Sequence, residues 1–317
     1  MKESISIVIP CYNEEETVLP CYKSLLSVMN TIRGCDIELL FVNDGSRDQT
    51  LQKLRGLAEK DNRVHYLSLS RNFGKESAMF AGFCNASSDY VAVMDADLQD
   101  PPEILVQMLD ILRKGEYDCV ATRRTDRRGE PPVRSWFARK FYRLINRLTE
   151  VEVVDGARDF RMMNRKMVNA LVAMDEYNRF SKGLFGWVGF RTYWLPYQNR
   201  ERIAGKTKWN FRKLFNYALD GIMDFSQAPL DLASWLGLVM TLISIVAILF
   251  IVIRKLVIGD PVAGWPSMAC IIILTSGVQL FCLGIIGKYL AKVYTEVKHR
   301  PHFIVDESNV NHAKLIG

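Results

Sequence analysis

The chain has 317 residues, enough for one large domain plus an appendage. It is 49% hydrophobic and 24% charged, which excludes a disordered protein. Its net charge of +6 is concentrated, because residues 123–147 hold nine Lys/Arg against two acids; the rest is near neutral, and the cluster calls for phosphate, anionic lipid or nucleic acid.

The N-terminus, MKESISIVIPCYNEEE, turns polar after one short apolar run. It lacks a signal-peptide pattern, so the first domain is expected on the cytosolic side. Apolar runs then recur at 5–10, 37–42, 64–69, 90–94 and 117–121. Between them, about 15–30, 48–60, 74–86 and 101–114 have helical spacing. Strands alternating with helices predict an α/β domain with a mostly parallel sheet covered on both faces. Ligands of such sheets bind at the carboxyl ends of the strands. Four polar motifs fall there: PCYNEEE, NDGSRD, SRNFGKES and DADLQD, one after each of the first four strands. A lone Asp-Gly marks only a turn; four motifs converging on one edge mark a site.

Residues 135–148 have a different period. Phe137, Phe141, Leu144, Ile145 and Leu148 share one helical face, and Arg139, Arg143 and Arg147 stack on the opposite one. That is the pattern of a helix lying on a membrane surface, though a helix docked on a core also carries an apolar stripe. A second such stretch covers 211–225. Two uncharged segments follow, 22 residues at 232–253 and 23 at 265–287. Each exceeds the roughly 20 residues that cross a hydrocarbon core of about 30 Å. Buried core helices are the competing reading. As spans they form a hairpin that returns the tail to the cytosol, with Lys288, Lys292, Lys298 and Arg300 inside and Arg254 and Lys255 snorkelling outside. The seven cysteines are scattered without a C-x-x-C pair, which points to a reducing compartment.

VMDADLQDPPE, residues 93–103, ends a buried strand in two aspartates one residue apart. Unpaired buried carboxylates are costly. Hard oxygens at a strand end suit Mg2+ or Mn2+, which keep several waters and take further ligands from substrate phosphates. Such a cation bridges Asp95 and Asp97 to a diphosphate and stabilises charge on a departing nucleotide. Asp100 is expected to cap the helix that Pro101 and Pro102 begin.

The motifs VIPCYNEEE, VNDGSRDQT, SRNFGKESA, MDADLQDPPE, DFRMMNR and RIAGKTKWN together resemble the glycosyltransferase family 2 enzymes of the polyprenyl-phosphate type. That group includes dolichyl-phosphate mannose synthase and the bactoprenol glucosyltransferases. The tail GIIGKYLAKVYTEVKHRPHFIV is similar to the bactoprenol branch, and the likeness covers about residues 4–305. The resemblance implies a GT-A fold, a nucleotide-sugar donor, Mg2+ or Mn2+, a polyprenyl phosphate acceptor and a homo-oligomer such as a tetramer. It implies that Pro10, Tyr12, Glu14 and Asp44 cradle the nucleoside, with Lys75, Asp95, Ala96 and Gln99 around the donor. Asp95 and Asp97 would hold the metal. Asp159 of the DFR motif is the implied catalytic carboxylate, with Asp97 beside it. Arg123, Arg127, Arg134, Arg202 and Lys208 would meet acceptor or donor phosphates. Two positions depart from the pattern: Arg158 stands where a glycine is usual, and Lys288 where a glutamate is common.

The expected organisation is a cytosolic GT-A domain at 1–210, an interfacial helix at 211–230, two transmembrane helices within 231–290 and a cytosolic tail at 291–317. The expected reaction is inverting transfer of glucose from UDP-glucose to undecaprenyl phosphate at the cytosolic face of the cell membrane, for cell-envelope glycosylation. UDP-N-acetylglucosamine, UDP-galactose and GDP-mannose are alternative donors. Asp159 is either a general base or a group that orients the acceptor and stabilises positive charge on the sugar. The acceptor phosphate, with a second pKa of about 6, needs no strong base. A processive polysaccharide synthase would carry Q-x-x-R-W, which is absent. A dead scaffold would lose the metal carboxylates or the basic residues, and both sets are present. Nucleic-acid binding is disfavoured because the aromatic residues of the basic cluster form a helical stripe and no stacking platform.

Overall fold

The computed structural model describes residues 2–124, 156–197, 223–258, 264–311 and 313–317, together with 146 and 154. The basic stripe of Arg139, Arg143 and Arg147 and nearly all of the stretch at 211–225 lie outside the described residues.

The first half follows the apolar runs: β1 (Glu3–Cys11), α1 (Val18–Met29), β2 (Cys35–Asn43), α2 (Thr50–Ala58), β3 (Val64–Leu69), α3 (Lys75–Asn85), β4 (Tyr90–Val93), α4 (Ile104–Arg113) and β5 (Cys119–Arg124). Ile5, Ile7, Val8 and Ile9 of β1 are all buried, as a strand covered on both faces requires. On α1 the buried residues Val18, Cys21, Leu25 and Val28 recur at helical spacing. Next come β6 (Ala157–Asn164), α5 (Arg165–Ala173), α6 (Ser181–Trp187), β7 (Thr192–Tyr197), the long helices α7 (Ala228–Ile258) and α8 (Trp265–Val297), and β8 (Val305–Ser308).

The strands form one sheet in the order β7-β5-β6-β4-β1-β2-β3-β8. Its centre, β4-β1-β2-β3, is parallel, as expected. β6 departs from that pattern: it runs antiparallel between β4 and β5, with Ala92 opposite Met162 and Val120 opposite Met162 on the other side. The start of β6 therefore lies at the carboxyl edge of β1 and β4, beside the polar motifs. One face of the sheet packs Ile7, Leu39 and Phe41 against α1, α2 and α4. The other packs Val8, Leu40 and Val42 against α3, α5 and α6.

The helices α7 and α8 contain 31 and 33 residues, about 45–50 Å of helix, longer than a hydrocarbon core of about 30 Å. Core helices would be buried; instead Leu242, Val246, Phe250, Ile273 and Leu280 are each more than half exposed. Surface of this kind is not left to water in a soluble domain. The hairpin is tied to the domain by polar contacts near its base. Tyr289 donates to the Ser226 carbonyl at 2.7 Å, and Lys292 pairs with Asp224. The Tyr177 and Asn178 loop donates to Glu296 and Thr295 of α8, each at 3.1 Å.

The last residues pack onto the sheet. β8 adds antiparallel to β3, and Glu307 accepts from Arg55 at 2.8 Å and from Tyr66 at 2.6 Å. Phe303 is fully buried, edge-on to Phe80 with centroids 6.1 Å apart. Phe303→Ala should cost about 3 kcal/mol or more through loss of that packing. Thermal melts of detergent-purified protein should show Tm falling by several degrees, and a Tm within about 1 °C of wild type would contradict the docking.

Candidate active site

The four polar motifs that follow the first four strands sit at the carboxyl edge. Pro10, Tyr12 and Glu14 follow the end of β1, where Asn13 takes a left-handed conformation with φ 53°. The Asn13 N–H donates to Ser46 Oγ at 2.9 Å, and Arg47 N–H returns a bond to Asn13 Oδ1 at 2.8 Å. These bonds lace the first loop to the second. The second loop turns at Gly45, whose φ is +61°; a side chain there would strike the Arg71 backbone.

Asp44 is buried, and its carboxylate already has partners. It accepts from Phe73 N–H at 2.7 Å, Gly74 N–H at 3.0 Å and Asn72 Nδ2 at 2.9 Å. Burial pushes its pKa up, and those backbone donors act the other way. In this structure Asp44 fixes the 72–74 turn, which sets where α3 begins and therefore where Lys75 stands.

Lys75 is the first residue of α3. Its ammonium lies 2.7 Å from Asp95 and 2.6 Å from Asp159. Burial works against its charge, but Asp159 and Asp95 outweigh that and hold its pKa above the ordinary lysine value. Burial likewise works against Asp159, and Lys75 and then Lys182 hold its carboxyl well below the usual range. A carboxylate held so firmly ionised is poorly matched to proton abstraction near neutral pH.

Asp95, Ala96, Asp97 and Gln99 form the loop after β4. Asp97 Oδ1 accepts from Gln99 N–H at 3.1 Å. Burial, then Asp97, Glu14 and Asp95, push the Cys21 thiol beneath this loop up to about 12. Among the described residues no three His, Cys, Asp or Glu side chains are arranged to enclose an ion. Asp95 and Asp97, hard oxygen donors one residue apart at a strand end, are of the kind that suits a divalent cation completing its shell with water and substrate phosphate.

Asp100 corrects an expectation. The next helix begins at Ile104 with Glu103 as N-cap, and Asp100 does not cap it. Its buried carboxylate accepts from Tyr197 and lies 3.4 Å from Arg158 Nε. Arg158, the apparent departure from the family pattern, also approaches Gln99 at 3.4 Å, so it ties β6 to the aspartate loop. The tight turn lies two residues earlier, at Gly156, where φ is +81° and a Cβ would sit 2.7 Å from the Arg124 carbonyl.

Arg123 is exposed at the end of β5, in register with Ala157. Arg127, Arg134, Arg202 and Lys208 lie outside the described residues. Sequence reasoning missed Glu76, Tyr197, Arg161 and Lys182. Arg161 and Glu76 had local signals, as the arginine of DFR and the glutamate of SRNFGKES.

Residues 6–172 match the family described as glycosyl transferase family 2. The chain is 42% identical to the uncharacterized glycosyltransferase sll0501 of Synechocystis, over 97% of this chain and 96% of that one. It is 39% identical to the SfII prophage-derived bactoprenol glucosyl transferase of Shigella flexneri, over 96% and 98%. Among solved structures it is similar to glucosyl-3-phosphoglycerate synthase of Mycobacterium tuberculosis, solved with Mn2+ and UDP-glucose. That likeness has 19% identity and a TM-score of 0.45, covering 70% of this chain and 78% of that chain. The chain belongs to glycosyltransferase family 2: it is a glycosyltransferase with a GT-A-like domain and two apolar helices behind it.

Glu76, next to Lys75, accepts from Ser181 N–H at 3.2 Å and from the Ser181 hydroxyl. Burial, then Asp159, push its carboxyl up to about 7 from an ordinary 4.5. An acid bound more tightly to its proton when folded costs stability as pH rises from its unfolded to its folded pKa. The contribution of Glu76 to wild-type stability should therefore fall between about pH 4.5 and 7, and Glu76→Gln should remove that fall. In melts across this range, the variant's Tm relative to wild type should climb with pH. A constant difference would contradict the assignment.

Proposed function

We propose that the chain transfers glucose from UDP-glucose to undecaprenyl phosphate, or a similar polyprenyl phosphate, at the cytosolic face of the cell membrane, for cell-envelope glycosylation. One observation carries the lipid acceptor: the catalytic cluster adjoins the apolar hairpin. Glu76, one residue from Lys75, lines the same cavity of about 470 Å³ as Lys288 and Lys292 of α8. A soluble acceptor would have no use for that placement. The names of the bactoprenol relatives support the same acceptor class and the choice of glucose. Both apolar helices are read as spans, so the protein is multi-pass with its GT-A domain in the cytosol.

In this reading Pro10, Tyr12 and Glu14 hold the nucleoside, and Asp44 fixes the turn beneath it. Asp95 and Asp97 hold Mg2+ or Mn2+ against the donor diphosphate; when bound, the cation neutralises charge on the departing UDP. Lys75 adds a second positive charge on the same side. An acceptor phosphate oxygen forms a bond to the anomeric carbon as the bond from that carbon to the diphosphate breaks. The electron pair leaves with UDP, and attack from the opposite side inverts the centre, giving a β-linked sugar. Asp159, kept ionised by Lys75, orients the acceptor and stabilises positive charge on the sugar. Arg123, Arg127, Arg134, Arg202 and Lys208 gather the phosphates, a task suited to arginine's planar fork.

Purified protein offered undecaprenyl phosphate and a panel of radiolabelled nucleotide sugars should use UDP-glucose best. Chelation should abolish transfer, Mg2+ or Mn2+ should restore it, and Asp97→Asn should lower kcat by about 100-fold, on the order of 3 kcal/mol. Full activity in excess chelator would overturn the metal reading.

Asp159→Asn should lose about 100-fold or more at every pH from about 5.5 to 8.5, because the acceptor dianion supplies its own nucleophile. A general base would instead show rescue at alkaline pH, where the phosphate ionises unaided. Recovery of most wild-type activity at the alkaline end would reverse the assignment.

A further inference from the structure

Next to Asp159 lies a cavity of about 250 Å³ that none of the roles above uses. Ala157 and Arg161 line it, and Asp159 lies between them on β6, so all three side chains share one face of the strand. Lys182 and Phe185 of α6, Phe190, and Trp194 of β7 form the remaining walls that matter here.

Arg161 is only 2% exposed. One face of its guanidinium lies 3.5 Å from the Phe185 ring centroid. Its donors reach the carbonyls of Arg158 at 3.0 Å and Asp159 at 3.4 Å. Among the described residues no carboxylate pairs with it, and burial pulls its pKa below the ordinary arginine value. Its hydrogen bonds end on those backbone carbonyls, and Asp159 and Glu76 act on its charge without forming an ion pair, so the guanidinium keeps capacity for a further anion. Lys182 supplies a second positive charge on the same cavity, close enough to act on Asp159, and forms no ion pair itself among the described residues.

The walls narrow the class of anion. Two cations beside three aromatic side chains suit a phosphate with hydrocarbon attached directly to it. The volume is below the roughly 300–1,000 Å³ of sites that enclose a whole drug-sized ligand. It has room for a headgroup and the start of a chain.

We propose that Arg161 and Lys182 form the acceptor-phosphate subsite, with the first isoprene unit packed against Phe185, Phe190 and Trp194. This rests on the lipid-phosphate reading above and adds two residues to the implied phosphate binders. Ala157 of this cavity is in register with one of those, Arg123. The bound phosphate lies beside Asp159, and its charge is balanced on the far side by Arg161 and Lys182. The acceptor oxygen can then approach the sugar although Asp159 is itself an anion.

The test is calorimetric titration of the detergent-solubilised full chain with farnesyl phosphate, inorganic phosphate and UDP, each separately. Wild type should bind farnesyl phosphate at least about 10-fold more tightly than inorganic phosphate, because only the former fills the aromatic wall. Lys182→Gln should weaken farnesyl phosphate about 10-fold or more, the loss of one charge-assisted hydrogen bond, with UDP affinity unchanged. Arg161→Lys should act in the same direction, since it keeps the charge and loses the fork; if it does not fold, Lys182→Gln decides alone. Unaltered farnesyl phosphate binding in Lys182→Gln would overturn the subsite and leave the lipid-phosphate reading standing. So would equal weakening of UDP, or equal affinity for inorganic and farnesyl phosphate. Failure of folded, UDP-binding wild type to take up farnesyl phosphate would overturn the lipid-phosphate reading itself, and the subsite with it.

Discussion

The site is organised around one ammonium between two carboxylates. Asp95 comes from the end of a parallel strand and Asp159 from an antiparallel one, and Lys75 bridges them at 2.7 and 2.6 Å. Without that charge, two anions would repel each other in a partly buried cleft. Much of the surrounding structure serves to keep Lys75 in place. Asp44 accepts three hydrogen bonds from the 72–74 turn just before it. Arg158 links β6 to the loop after β4 through Gln99 and Asp100, so both carboxylates are fixed by the same framework.

The same cluster is connected to the hairpin. Glu76 follows Lys75 and takes both donors of Ser181 at the start of α6. A few residues earlier, Tyr177 and Asn178 donate to Glu296 and Thr295 near the end of α8. Beyond α8, Phe303 and β8 return to the sheet and close its edge at β3. The hairpin is thus held by the domain along and after α8, and its base is anchored beside the Lys75, Asp95 and Asp159 cluster.

How much of this could be read from sequence depends on what each segment hides. The first five strands were legible because each is a nearly unbroken apolar run buried on both faces, and the two long helices because they carry no charge over 22 and 23 residues. β6 was not, because ARDFRMMN places two arginines and an aspartate in the strand, and their partners lie on distant elements. β8, VDES, has no apolar alternation at all; its pairing depends on β3 and on the Glu307 contacts. Asp100 looked like a helix cap because prolines follow it, whereas Tyr197 and Arg158, remote in sequence, claim its carboxylate. Asp95, Asp97, Lys75 and Asp159 could be listed in advance. That Lys75 joins Asp95 to Asp159, and that Arg161 lies buried beside them, needed the antiparallel insertion to be known.

The central claim is that Asp95 and Asp97 receive the donor diphosphate through a divalent cation while Asp159 faces the sugar across Lys75. Anomalous diffraction from crystals of the full chain with Mn2+ and UDP tests it most directly. The account predicts one manganese peak between Asp95 and Asp97, about 2 Å from a carboxylate oxygen and from a diphosphate oxygen. UDP bound with no manganese at these aspartates, or with manganese held elsewhere on the chain, would contradict it.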